Sequence, residues 1–166
     1  MKKVVFVNQS SGYLMIDIVN EYAETYDEVV LMAGSVKTME RNLNSKVKLC
    51  KISAYKRNTA FSRFMSWMFA GIQVLCLILL KYRKHQIVYV TNPPFGYLSS
   101  LLLTNPFSVI VYDVYPDALK NIGISENHIL FRIWSRLNKR LFNKAQSIFT
   151  LSESMAELLS KYISKN

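Results

Sequence analysis

Glycine and proline are scarce in this chain. Its 166 residues include five glycines and four prolines, while 51% are hydrophobic, so a disordered or low-complexity protein is excluded. The glycine-based motifs are missing as well, since the chain has neither GxGxxG nor a phosphate-binding P-loop. It also has no HExxH motif and no Ser/His/Asp arrangement. No short catalytic motif therefore identifies the chemistry of this protein.

Cysteine and histidine are equally rare. Cys50 and Cys76 are the only cysteines and lack CxxC spacing, which predicts free thiols in a reducing compartment and no metal site. His85 and His128 flank predicted helices among basic or polar neighbours. Both histidines are predicted to lie on the surface.

Acidic residues are missing from one part of the chain. Segment 37–84 carries eleven of the 21 Lys and Arg residues but one acidic residue, Glu40, so it accounts for the whole net charge of +10. This concentration predicts an anionic partner, either nucleic acid or a membrane with acidic lipids. Aromatic residues are not interleaved with the basic ones and no nucleic-acid-binding motif occurs. The membrane is therefore the preferred partner.

The N-terminal stretch MKKVVFVNQ resembles a signal peptide only superficially. Its apolar part ends after four residues, whereas the hydrophobic region of a signal peptide needs about seven. We therefore interpret it as the first strand of a cytoplasmic protein. A chain of 166 residues is long enough for one domain with a sizeable core.

Short, continuously apolar runs alternate with longer helical patterns along the chain. The runs predict six strands, at 4–7, 29–32, 47–49, 87–90, 109–112 and 148–151. Helical periodicity is found at 13–23, 62–84 and 127–142, and a last helix is predicted after Ser154, which has capping-box spacing to Glu157. This alternation predicts an α/β fold with a doubly wound, mostly parallel sheet flanked by helices.

The pattern in 127–142 also predicts which side of that helix is buried. Arginines at 132, 136 and 140 lie on one side, so the opposite side is predicted to face the core. The predicted buried residues are Leu130, Ile133, Trp134, Leu137 and Leu141.

Polar or proline-bearing loops follow four of the predicted strands, at 8–12, 91–96, 113–117 and 152–154. In a doubly wound sheet, ligands bind at the carboxyl ends of the strands, so these loops are predicted to line one edge. Asp113 directly follows an apolar strand. A carboxylate there can bind sugar hydroxyls or orient a reacting group, and a helix-capping role is the alternative. Gly12 could admit a phosphate or sugar, or simply form a tight turn.

Three segments carry a family resemblance: YVTNPPFG at 89–96, VIVYDVYPDAL at 109–119 and IFTLSESMAELL at 148–159. Together they resemble the N-terminal domain of family 4 glycosyltransferases, especially the bacterial enzymes that build capsule, O-antigen and exopolysaccharide. The similarity extends from 87 to 161. It implies a GT-B architecture, in which two Rossmann-like domains face each other across a cleft. The N-terminal domain binds the acceptor, the C-terminal domain binds the nucleotide sugar, and no catalytic metal takes part.

The resemblance implies the acceptor-binding half of a retaining glycosyltransferase that needs no cofactor. Its partners would be a nucleotide-sugar donor and a lipid-linked or saccharide acceptor for surface polysaccharide. The family's Glu-x7-Glu pair is absent, so 1–166 is predicted to be a single domain that is inactive without a C-terminal domain or partner subunit. The alternatives are a non-catalytic membrane-docking subunit and, with less support, a nucleic-acid-binding domain.

The resemblance also implies site residues, matched one position at a time. Asp113 would be the catalytic residue, because it falls beside the sugar being transferred. The implied substrate-binding residues are Ser11, Gly12, Asn92, Pro93, Tyr115, Ser152 and Glu153.

The run 64–80 contains no charged residue, and only Ser66 and Gln73 are clearly polar. Its seventeen residues would span about 25 Å as a helix, short of the ~20 residues that a bilayer core requires. One prediction is a helix buried on all sides for most of its length. The other is a helix partly inserted into an anionic membrane on the inner face of the cell membrane. The predicted membrane contacts are Lys56, Arg57, Arg63, Trp67, Lys81, Arg83 and Lys84.

Overall fold

The computed structural model describes residues 1–122 and 125–164. Within them, six strands form a parallel sheet in the order β5-β3-β1-β6-β7-β8. Counted along the chain, this order is 3-2-1-4-5-6, as in Rossmann-like folds. The predicted α/β class, the parallel sheet and the six predicted strands are confirmed. The strands of this sheet are β1 Lys3–Val7, β3 Glu28–Ala33, β5 Val47–Lys51, β6 Gln86–Val90, β7 Phe107–Val111 and β8 Ile148–Thr150.

The central strands are apolar throughout because the sheet is covered on both faces. Val5 pairs with Val30 of β3 on one side and with Ile87 of β6 on the other, and all three are fully buried. A separate parallel pair, β2 Ser10–Ser11 and β4 Ser35–Val36, extends from the loops after β1 and β3.

The described residues form five α-helices, which cover the two faces of the sheet unequally. Four of them pack on one face, and only α1 contributes to the core on the other. Short 3-10 helices occur at Ser99–Leu102 and Asp117–Ile122. The α-helices are α1 Tyr13–Thr25, α2 Ala60–Lys81, α3 Pro94–Leu98, α4 Ile129–Lys144 and α5 Glu153–Ser160.

Helix α2 is apolar in composition, but only one of its faces is buried. Its buried residues follow one stripe: Ser66, Ala70, Gly71, Val74 and Ile78. The opposite face carries exposed apolar side chains, among them Phe61, Phe69, Ile72 and Leu80. The prediction of a helix buried on all sides for most of its length is therefore wrong. By length and composition α2 could cross a membrane, with a mean hydropathy of 1.8 and 28% of its most apolar window buried.

Helix α4 buries only part of the predicted face: Leu141 is fully buried as predicted, and Trp134 and Leu137 are half-buried. Leu130 and Ile133 are 56% and 45% exposed, whereas Phe131, Asn138 and Phe142 are buried. The side-chain amide of Asn138 donates to the carbonyl of Tyr115, and Asn138 Oδ1 accepts from the Tyr97 hydroxyl at 3.3 Å. These hydrogen bonds satisfy the polar side chain of Asn138, which can therefore be buried.

Two smaller predictions are also wrong. Helix α5 begins at Glu153 and is capped by Ser152, whose hydroxyl accepts from the Met155 N–H at 3.3 Å, so Ser154 is not its cap. His85 is buried at 6% exposure, with its Nε2 3.4 Å from a carboxylate oxygen of Glu28. It lies just before β6, packed against the ring of Tyr82 at a centroid distance of 5.1 Å.

Candidate functional site

The loops at the carboxyl edge of the sheet are hydrogen-bonded to one another through Gln9. Its backbone N–H donates to the carbonyl of Asn92, which follows β6, at 2.9 Å. Its side-chain amide donates to the carbonyls of Ser53 at 2.9 Å and Ser66 at 3.0 Å. Gln9 therefore joins the loops after β1 and β6 to the start of α2.

Asp113 is positioned from the neighbouring strand. The hydroxyl of Thr91, at the end of β6, accepts the backbone N–H groups of Tyr112 and Asp113 at 3.1 Å each. The Asp113 side chain is exposed, and within the described residues it makes no ion pair shorter than 4.0 Å. Surrounding atoms nevertheless remove part of its hydration, and this desolvation raises the pKa of the Asp113 carboxyl.

A cavity of about 320 Å³ opens beside Asp113. It brings together three residues that the sequence placed at the substrate site and three that it placed at the membrane. Tyr55 completes the wall and was not predicted. The lining residues are Tyr55, Arg57, Arg63, Trp67, Asn92, Asp113 and Tyr115. We call this cavity the polar pocket.

The loop between β5 and α2 is held over the pocket by helix α2. The Ser53 N–H donates to the side-chain carbonyl of Gln73 at 2.6 Å, and the Lys56 N–H donates to the Ser66 hydroxyl at 3.3 Å. The Tyr55 ring consequently stacks on Trp67, with centroids 5.7 Å apart.

Sequence reasoning missed this part of the site, although a signal existed. A helix that connects two parallel strands must begin at the edge where the first strand ends. The first turns of α2, with Arg63 and Trp67, are therefore expected at the same edge as Asp113. The positive charge of segment 37–84 predicted a membrane contact for Arg63 and Trp67 instead.

Several polar groups at the pocket lack partners. Within the described residues, neither Arg57 nor Arg63 pairs with a carboxylate within 4.0 Å. Arg63 Nε, Trp67 Nε1 and Asn92 Oδ1 are buried without a hydrogen-bond partner. Because such groups cost free energy when buried, their concentration here favours a polar ligand.

Tyr115 is influenced by the negative charge of Asp113 and by the positive charge of Arg63. Burial raises its pKa above the usual range, the Asp113 carboxylate raises it further, and the Arg63 guanidinium opposes the shift. The phenol is therefore neutral at physiological pH and can donate a hydrogen bond.

The loop that carries Asp113 is anchored at its far end by Asp117. This carboxylate is buried, accepts from the Tyr162 hydroxyl at 2.5 Å, and pairs with Lys161 and with Lys120, the latter at 3.3 Å. Burial alone would raise the Asp117 pKa, but hydrogen bonds from Lys161 and Tyr162 outweigh it and the pKa is lowered. These contacts tie the end of the 113–117 loop to residues that follow α5.

The remaining predicted substrate residues do not line the polar pocket. Ser11 is buried and its hydroxyl donates to the Asn8 carbonyl at 3.2 Å, while Gly12 caps α1 in open space. Pro93 is buried at the start of α3. Ser152 and Glu153 are exposed at the start of α5, and their contact with substrate stays a prediction.

The predicted membrane residues fall into two groups. Arg57, Arg63 and Trp67 line the polar pocket. Lys56, Lys81, Arg83 and Lys84 are exposed outside it, the last three at the C-terminal end of α2. Membrane contact stays a prediction for all seven.

Comparison with known proteins gives structural likeness only. No family model and no curated protein sequence matches the chain. Among solved structures, CalG4, the calicheamicin glycosyltransferase, has a TM-score of 0.52 at 12% identity, over 98% of this chain and 41% of CalG4. The likeness shows a shared fold, that of one Rossmann-like half of a GT-B enzyme.

Two further solved structures are similar to this chain. MurG from Acinetobacter baumannii has a TM-score of 0.49 at 12% identity, over 90% of this chain and 41% of its own. The glycosyltransferase SnogD from Streptomyces nogalater has a TM-score of 0.38 at 15% identity, over 96% of this chain and 43% of SnogD. The chain thus spans about two fifths of the length of each of these proteins.

Proposed function

We propose that this chain is the acceptor-binding half of a retaining, metal-independent glycosyltransferase. In this proposal the enzyme moves a sugar from a nucleotide sugar to a membrane-associated, lipid-linked acceptor in surface polysaccharide synthesis. The observation that carries the proposal is the polar pocket, in which Asn92, Asp113 and Tyr115 meet at the carboxyl edge of a parallel sheet. The likeness in fold to CalG4 supports it.

The residues of the pocket suit a sugar. The Asp113 carboxylate accepts charge-assisted hydrogen bonds from sugar hydroxyls and so positions the transferred group. The Tyr115 phenol and the Asn92 amide supply further polar contacts. The rings of Tyr55 and Trp67 offer apolar surface to the faces of a pyranose.

The donor-binding part belongs to a second unit in this proposal. The chain spans 41% of CalG4, so the nucleotide sugar would be held by a C-terminal domain or a partner subunit. The chain alone should therefore bind nucleotide sugars weakly and transfer no sugar.

Docking to an anionic membrane completes the proposal. The exposed face of α2 carries Phe61, Phe69, Ile72 and Leu80, which are between 52% and 80% exposed. Exposed basic residues lie at the C-terminal end of the same helix. Apolar side chains beside basic ones are typical of a helix that lies in the surface of an acidic membrane, here the inner face of the cell membrane.

Ligand binding to the isolated chain tests this assignment. Saturation-transfer difference NMR with a panel of mono- and disaccharides should give binding that Asp113→Asn weakens about tenfold or more. Asp27→Asn is the matched control, because Asp27 is exposed just before β3, at the opposite edge of the sheet. Calorimetry with UDP- and GDP-sugars should give weak binding.

Two outcomes would contradict the assignment. Micromolar affinity of this chain for a nucleotide sugar would contradict the division into acceptor and donor halves. Absence of saccharide binding, together with normal binding to anionic vesicles, would favour the non-catalytic membrane-docking subunit, an alternative supported by the apolar face of α2 lying outside the polar pocket.

A further inference from the structure

An apolar groove of about 450 Å³ runs between helices α2, α3 and α4. Aromatic rings form much of its wall: Trp134 stacks on Phe95 and on Tyr115, with centroids 5.5 Å apart in each pair. The main apolar residues of this groove are Phe64, Phe95, Leu98, Leu119, Ile133 and Leu137. We call it the apolar groove.

The apolar groove is continuous with the polar pocket. Arg63, Trp67 and Tyr115 line both cavities, whereas Asp113 and Asn92 line the polar pocket alone. A ligand that lies along both cavities therefore meets three zones in order. It meets hydrocarbon in the groove, then the junction at Arg63, then the carboxylate of Asp113.

The junction between the cavities is positively charged. Within the described residues, Arg63 and the neighbouring Arg57 form no ion pair with a carboxylate. Arg63 Nε and Trp67 Nε1 are N–H donors that lack an acceptor. A phosphate ester supplies both the missing negative charge and several acceptor oxygens.

We propose that the apolar groove and its junction bind a lipid phosphate. A linear hydrocarbon chain occupies the groove, its phosphate lies at Arg63 and Arg57, and the group attached to the phosphate faces Asp113. The charge at one end of an otherwise apolar groove selects this amphiphile over an uncharged chain. That the lipid phosphate is the sugar acceptor rests on the proposed function, whereas its binding rests on the two cavities alone.

Intrinsic fluorescence offers a direct measurement, because the chain has two tryptophans, Trp67 and Trp134, and both line the groove. Farnesyl phosphate, kept below its critical micelle concentration, is the probe. A saturable change in tryptophan fluorescence is expected. Farnesol should bind at least tenfold more weakly, and inorganic phosphate at the same concentration should not displace the probe.

Two variants test separately the contact with the phosphate and the contact with the hydrocarbon chain. Arg63→Gln removes the charge at the junction and should weaken farnesyl phosphate binding about tenfold or more. Arg132→Gln, at an exposed position on α4 outside both cavities, is its control. Ile133→Asp places a carboxylate in the groove and should weaken binding similarly, and Ile129→Asp is its control, since Ile129 is 61% exposed and outside the groove. Circular dichroism verifies that each variant is folded.

Several outcomes would overturn the inference. They are absence of a saturable change, equal affinity for farnesol, displacement by inorganic phosphate, or self-association of the chain through the groove in ultracentrifugation. If farnesyl phosphate fails to bind while saccharides still bind at Asp113, this inference fails and the proposed acceptor-binding role of the polar pocket stands. If farnesyl phosphate binds but saccharides do not, the lipid phosphate site stands and the proposed function fails.

Discussion

The hydroxyl of Thr91 accepts a hydrogen bond from the backbone N–H of Asp113 at 3.1 Å, across the carboxyl ends of two neighbouring strands. Thr91 is buried at 1% exposure, so the bond is protected from water. The position of the Asp113 carboxylate therefore depends on a side chain of the adjacent strand as well as on its own loop.

Thr91→Val should loosen the loop that follows β7. The valine keeps the shape but leaves the N–H groups of Tyr112 and Asp113 without an acceptor, which should cost about 1–2 kcal/mol of unfolding free energy. Urea denaturation measures the loss, and hydrogen exchange should be faster at residues 112–113. Thr104→Val, at an exposed position, should change stability by less than about 0.5 kcal/mol. Equal stability of Thr91→Val and wild type would contradict the positioning role.

Asp113→Asn should leave the protein as stable as wild type at neutral pH, or more so. Desolvation raises the pKa of Asp113 in the folded state, so the folded state binds the proton more tightly than the unfolded state. The carboxylate's effect on stability is therefore unfavourable above the folded pKa and disappears below the unfolded pKa. Urea unfolding across this range should give a gain for Asp113→Asn at neutral pH that vanishes in acid. A clear loss of stability at pH 7 would identify Asp113 as a structural cap.

Glu28→Gln should lower stability at neutral pH and reduce the dependence of stability on acid. Hydrogen bonds from Lys48 at 2.9 Å and from Lys3, whose Nζ lies 3.1 Å from the carboxylate, lower the Glu28 pKa from 4.5 to about 2. Its stabilisation is present above the unfolded pKa and is lost as the pH falls from 4.5 towards about 2. The variant should lose about 1 kcal/mol at pH 7 and show a flatter pH dependence in that window. Glu24→Gln, which disrupts an exposed pair with Lys46, should change little, and an unchanged acid transition in Glu28→Gln would contradict this account.

Gly71→Ala should separate α2 from α3. A Cβ at Gly71 would lie 2.8 Å from the Cβ of Phe95, an atom that cannot move without its backbone. Overpacking costs about 1–3 kcal/mol, which exceeds the gain of about 1 kcal/mol in helix propensity. Thermal unfolding should reveal a net loss for Gly71→Ala and a smaller one for Gly12→Ala, where no atom lies within 4 Å of the added Cβ and only the helix cap changes. Stabilisation by Gly71→Ala would show that the helices separate without cost.

Membrane binding should require both lipid charge and the apolar face of α2. The protein should sediment with vesicles that contain anionic lipid and much less with neutral ones, and raising salt should release it. Replacing Lys81 and Lys84 by Ser should weaken binding by about 2 kcal/mol, or about thirtyfold, whereas replacing Lys139 and Arg140 on α4 should matter less. Equal binding to neutral and anionic vesicles would contradict the electrostatic part, and no binding to either would contradict docking through α2.

The fold class could be read from local patterns. A strand covered on both faces needs an unbroken apolar run, and such runs as 4–7 and 109–112 occur six times between helical patterns. The position of Asp113 at the end of its strand follows from the same pattern. Asn92 and Tyr115 could be placed beside it because the carboxyl ends of parallel strands share one edge.

Helix faces were less predictable than helix positions. Leu130 and Ile133 fit a buried stripe by spacing, yet α4 turns Asn138 inward because Tyr97 and Tyr115 supply its hydrogen-bond partners. The spacing of apolar residues within one helix carries no information about hydrogen-bond partners such as Tyr115 and Tyr97, which lie 23 and 41 residues from Asn138 in the chain.

The sequence by itself determined the parallel α/β sheet, the location of Asp113 and the positive charge around α2, because each depends on neighbouring residues in the chain. Only the tertiary structure decided that Tyr55, Arg63 and Trp67 face Asp113 and that a groove of about 450 Å³ continues from them. These contacts depend on Gln9, which ties loops from three distant parts of the chain together. Residues 40 to 60 positions apart meet only when the order of the strands brings their loops to the same edge.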